Sequence, residues 1–102
     1  MLNSMPSKPP VIDPQEQAVL ANFGERLRLA RLRRKFSLTW VAGRCGMSRT
    51  TVTKAEHGDP SVTLGTYFRI LSVLGLQNDI EKIASEDALG RRLQDLALVK
   101  QS

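Results

Sequence analysis

The stretch "RCGMSRTTVTKAEHG", residues 44–58, sets Arg49, Thr50, Thr53 and Lys54 where a short helix would hold them together. At 100° per residue, Val52 and Ala55 form the apolar stripe of that helix, with Glu56 near its edge. Thr50, Thr53, Lys54 and His57 point the opposite way, and Arg49 and Thr51 flank them. A guanidinium presents paired donors to a planar acceptor, and a threonine hydroxyl donates or accepts beside an apolar methyl. An ammonium holds a phosphate as a point charge. The simplest alternative is an ordinary solvated helix face, with His57 at a solvated helix end.

The charge map bears on that choice. The chain has 102 residues and a net charge of +5, and nearly all of the excess lies in one third of it. Residues 23–57 hold nine Lys and Arg against Glu25 and Glu56, a local balance of +7, whereas the segments on either side each sum to −1. Positive charge confined in this way is the footprint of a polyanionic partner, most simply nucleic acid.

The elements that must position these groups are helical. Four of the five prolines fall in "MLNSMPSKPPVIDP", which predicts a disordered arm over 1–14. Leu20, Phe23, Leu27 and Ala30 recur at three- and four-residue spacing and predict a helix over about 15–35. Ser37 caps a second helix, 38–45, with Val41, Ala42 and Cys45 inward, and Gly46 permits a left-handed turn. Ser48 caps the third, about 49–57, at some cost in propensity, because its β-branched threonines are mediocre helix formers. Ser61 or Thr63 starts a fourth helix that ends near Gly75, and a fifth spans about 77–85. Leu89, Leu93 and Leu96 then repeat at i, i+4, i+7 in a tail over 86–102. No strand alternation is visible, so the fold class is all-α, with one domain over 15–85.

A helix, a glycine turn and a second helix, with Ala42 where the two touch, has the spacing of a helix-turn-helix. The wider stretch "FGERLRLARLRRKFSLTWVAGRCGMSRTTVTKAEHGDPSVTLGTYFRILSVLGL" resembles the Xre/Cro-type helix-turn-helix repressors over roughly residues 22–76. The carrying features are "FGERLR", Arg31, the Ser37 cap, "VA" before the glycine turn, "MSRTTV" and Glu56-His57-Gly58. That resemblance implies a five-helix, lambda-repressor-like domain whose third helix enters the DNA major groove. Arg49, Thr50, Thr53 and Lys54 would then read base edges. Ser48, Thr51, Arg28, Arg33, Arg34, Lys35 and Arg44 would hold phosphates. Arg31 and Glu56 would form the family's salt bridge between helices one and three. Where the family often places a phosphate-binding glutamine, this chain has Leu38, which cannot make that contact.

Within the family, "GDPSVTLGTYFRILSVLGL" and "DALGRRL" look most like HipB-like antitoxins, the DNA-binding partners of HipA-like serine/threonine kinases. This implies an autoregulating homodimeric repressor on a palindromic duplex operator, with a HipA-like kinase as further partner. Seven large apolar residues in 64–74 exceed one helix stripe, so Tyr67, Ile70 and Leu74, with Leu89, Leu93 and Leu96, are the expected partner or dimer interface. The alternatives are a stand-alone Xre-type repressor and an interaction module without DNA affinity.

Other classes fit poorly. One Cys and one His cannot furnish a metal cluster, no paired carboxylates or phosphate loop suggest an enzyme, and no cofactor is implied. Cys45 reads as a core residue. Single-strand RNA recognition usually offers stacking aromatics, and the chain has five. Trp40 lies near the outer side of helix two, which suggests packing on the first helix or the tail, or else a protein contact. No apolar run approaches membrane-spanning length, and no secretory h-region opens the chain, so a bacterial cytoplasm is the expected compartment.

Overall fold

The computed structural model describes residues 10–96; residues 1–9 of the arm expected over 1–14, and the last six residues of the tail, lie outside them. The elements are α1 (Pro14–Arg33), α2 (Leu38–Cys45), α3 (Arg49–Glu56), α4 (Leu64–Val73), a 3-10 helix (Gln77–Lys82) and α5 (Ala88–Asp95). The fold is all-helical, with no strand among the described residues.

Each α-helix begins on a side-chain cap. Asp13 opens α1 with a reciprocal capping box: its carboxylate accepts from the Glu16 amide at 2.8 Å, and the Glu16 carboxylate accepts from the Asp13 amide at 3.0 Å. Helix one therefore starts one residue earlier than its periodicity suggests. Ser37, Ser48 and Thr63 cap α2, α3 and α4. Lys35 occupies the left-handed position after α1, with φ 59°, where glycine is the usual residue. Its amide and that of Phe36 still close the helix on Leu32 and Arg31 carbonyls.

The core joins Leu27 and Ala30 of α1, Val41, Ala42 and Cys45 of α2, Val52 and Ala55 of α3, and Tyr67, Ile70, Leu71 and Leu74 from α4 and its C-cap. This corrects one expectation. Tyr67, Ile70 and Leu74 are not free for an interface, being 5%, 1% and 3% exposed. The reason is that α4 packs against α2, α3 and the 3-10 helix at once, so several of its faces are interior. The apolar side chains it leaves outside are Leu64 and Phe68.

Two further differences follow the chain. The expected fifth α-helix is a 3-10 helix: Leu76 supplies no side-chain cap, and i→i+3 bonds such as Asp79 N–H to the Leu76 carbonyl (3.0 Å) take over. The tail, by contrast, contains α5, capped by Asp87 onto the Gly90 amide.

Cys45 lies in the α2–α4 contact, its Sγ 3.7 Å from the Arg69 carbonyl. Burial pushes its thiol above the ordinary 9.0, against a weaker opposing pull from Arg69. At neutral pH it is a neutral, covered thiol. An aromatic disulfide reagent should therefore modify the native protein far more slowly than the urea-unfolded chain. Equal rates would place Cys45 at the surface.

Candidate nucleic-acid interface

The α2–α3 turn fixes the angle at which α3 stands off the core. Gly46 closes α2 at φ 71°, and the Met47 amide returns to the Ala42 carbonyl at 3.0 Å. A Cβ at Gly46 would touch nothing within 4 Å, so an L-residue there meets backbone strain alone. Gly46→Ala should cost about 1–2 kcal/mol, the penalty for a left-handed L-residue, and Gly46→Asn less. Urea denaturation measures both.

At its far end α3 is held against α1 by two glycines. A Cβ at Gly24 would come within 2.6 Å of the Ala55 and Glu56 carbonyl oxygens and the Gly58 amide. One at Gly58, itself at φ 71°, would run into the backbone of Leu20 and Ala21. The same junction carries the expected salt bridge. Arg31 Nε donates to Glu56 at 2.7 Å and its Nη2 at 3.1 Å, while its Nη1 donates to the Phe36 carbonyl at 3.0 Å. Both side chains are buried and satisfied.

With α3 so anchored, Arg49, Thr50, Thr53 and Lys54 line one open groove together with Leu38, His57 and Asp59. All four of the expected base-reading residues thus share a surface. Arg49 Nη1 donates to Thr39 Oγ1 at 3.3 Å, drawing the start of α2 into the site. His57 Nδ1 lies 2.9 Å from the Thr53 carbonyl, and a proton on Nδ1 makes that a hydrogen bond and leaves Nε2 outward. Among the described residues, Arg49 and Lys54 form no ion pair.

Asp59 was not anticipated on this surface, whose helical face alone carries no acid. Its carboxylate accepts from the Ser61 amide at 2.8 Å, its amide donates to the Lys54 carbonyl at 3.1 Å, and its carbonyl accepts from the Tyr67 hydroxyl at 3.1 Å. The Ser61 amide chiefly, with the Ser61 side chain and Lys54, holds its pKa below the ordinary 3.8. Its contribution to folding is complete above that value and is lost as pH falls through the lowered one. Its signal was local: an Asx turn ahead of a proline. Thr39, by contrast, reaches the site through helix packing, and no spacing rule marks it.

The expected phosphate contacts fall into separate groups. Ser48 and Thr51 meet at the α3 N-terminus, hydroxyl to hydroxyl at 3.0 Å, and Ser48 also accepts from the Thr51 amide. Arg33, Arg34 and Lys35 crowd the end of α1, where Arg34 donates to the Ala30 carbonyl at 2.8 Å. Arg28 pairs with Glu25 on the exposed side of α1. None of Arg28, Arg33, Arg34, Lys35 or Arg44 lines the groove. Arg44 stands 5.5 Å over the Trp40 ring, which packs on Phe36 at 4.2 Å between centroids. Trp40 is thus half-covered by the α1–α2 junction. Leu89 on α5 and Leu96 at its C-cap are exposed, and Leu93 is half-buried.

A cationic helix face with short hydroxyls, standing clear of its scaffold, can donate to base edges and neutralise phosphates. No described helix is long and apolar enough to cross a membrane. A family model for a helix-turn-helix domain matches residues 22–81. No curated protein matches the chain.

Proposed function

The chain belongs to the helix-turn-helix domain family, a family of DNA-binding regulators, and from that premise we propose that it is a sequence-specific transcriptional repressor acting as a homodimer on a palindromic operator in the bacterial cytoplasm. The observation that carries the reading is the shared groove of Arg49, Thr50, Thr53 and Lys54, whose two cations form no ion pair among the described residues and outnumber its one carboxylate, Asp59. Arg49 suits a guanine edge, the threonines suit hydroxyl or thymine-methyl contacts, and Lys54 suits a base or phosphate oxygen. Leu38, which lines the same groove, substitutes apolar contact for a polar one. Ser48 and Thr51 at the helix start, with the cations at the end of α1, supply sequence-independent affinity.

Selection from a randomised duplex pool tests this. The enriched site should contain inverted half-sites about one helical turn apart, and placing it at a promoter should lower expression when the protein is present. A pool that shows no enrichment over single strands contradicts the reading.

The narrower role, autoregulating antitoxin of a HipA-like kinase, rests on the resemblance of the fourth helix and tail. Its test is co-purification with a HipA-like kinase encoded beside this chain; absence of any such complex leaves a stand-alone repressor.

A further inference from the structure

Among the described residues, two apolar surfaces are left without an element packed over them. One is a groove on the side of the domain formed by α1, α4, the 3-10 helix and the segment just ahead of α1, walled by Ile12, Val19, Phe23, Leu64, Ile80 and Ile83. Val19, Leu64 and Ile83 are each more than 60% exposed, too much apolar surface in one place for scattered surface residues. The other is α5, which with its C-cap sets Leu89, Leu93 and Leu96 on one face; none of its eight residues is fully buried, and Leu93 is only half-covered. An eight-residue helix in water is well below the length at which helices persist unaided, so its apolar face requires a surface to pack on.

We propose that α5 of one copy docks into the α1–α4 groove of a second copy, and reciprocally, to form the repressor's homodimer. The inference rests on the dimeric reading above and supplies its interface. A two-fold arrangement makes each contact twice, so the surface buried is double that of one helix in one groove. Charge is complementary: the groove lining carries Arg26, Asp59 and Asp79, one negative charge in excess, and α5 carries Arg91, Arg92 and Asp95, one positive charge in excess. Within one chain, α5 does not line the groove. The docking groove shares only Asp59 with the base-reading groove, so a dimer built this way leaves both α3 helices open to DNA.

Sedimentation of the full chain, alone and with Leu64→Glu or Leu93→Glu, tests it. The wild type should be dimeric, and each substitution should weaken dimerisation at least tenfold without altering the circular dichroism melt of the monomer. Differently tagged chains carrying Leu64→Cys and Leu93→Cys should also form a mixed disulfide dimer on oxidation. A monomeric wild type, including one whose α5 is taken instead by a kinase, overturns the inference. So does a dimer indifferent to Leu93→Glu, or a Leu64–Leu93 pair of cysteines that closes only within one doubly substituted chain. A monomer that still selects a half-site sinks the dimer interface and leaves base reading intact. A dimer formed as described that selects no duplex sinks the repressor reading instead.

Discussion

Replacing Glu56 by alanine should destabilise the fold by about 3–5 kcal/mol, the range for breaking a buried pair from one side. The geometry supports the upper part of that range. Arg31 and Glu56 are each 8% exposed and joined by two hydrogen bonds, at 2.7 and 3.1 Å. Without the carboxylate, Arg31 keeps only the Phe36 carbonyl, and a guanidinium in that setting is costly to leave uncompensated. Truncating Arg31 should be comparably damaging, because it strands the carboxylate and frees the α1–α2 turn. Substituting both, as Arg31→Met with Glu56→Leu, should be milder than the sum of the singles, since apolar replacement of a whole buried pair is often tolerated. Urea denaturation of the wild type, Arg31→Met, Glu56→Leu and the double variant closes the cycle and gives the coupling. Coupling below about 0.5 kcal/mol, the ordinary additivity error, would mean the bridge is solvated in solution.

The second large effect falls on DNA. Arg49→Ala should cost about 1–3 kcal/mol at the selected site and broaden its sequence preference, as expected for a residue facing a base edge. The substitution is sparing of the fold: Arg49 is exposed, and among the described residues its side chain bonds only to Thr39, at 3.3 Å. Arg33→Ala, at the end of α1, should weaken all duplexes alike and make the salt dependence shallower by about one unit. The contrast between the two variants is the informative quantity, because a general loss of charge would move both in the same way. Unaltered specificity in Arg49→Ala would remove it from the base-reading set.

The order of the helices and the placement of the site follow from features that are local in sequence. Ser37 and Ser48 are caps three residues from the amides they bind, Gly46 marks a left-handed turn, and Val52 with Ala55 fixes which side of α3 faces in. Such signals need nothing beyond neighbouring residues. Apart from the 3-10 helix at Gln77–Lys82, whose cause is local, the misjudged features are tertiary. Counting apolar residues in 64–74 gives a surplus over one stripe, but not the number of elements around α4; three of them turn Tyr67, Ile70 and Leu74 into core. Gly24, a residue of low helix propensity inside α1, goes unremarked in the sequence. Its reason is the backbone of α3, 2.6 Å from where its Cβ would be. Asp59 and Thr39 join the site through a loop and through helix crossing, distances that no periodicity encodes.

Directed cleavage from α3 tests the central claim most directly. Thr50→Cys would place an exposed thiol in the groove, and the buried Cys45 should leave it as the principal position modified by an iron–EDTA reagent. Bound to its selected duplex and triggered to cleave, the conjugate should cut bases within each half-site, clustered about the major groove. Cleavage spread evenly along the duplex, or confined to DNA outside the half-sites, would contradict a reading helix at Arg49–Glu56.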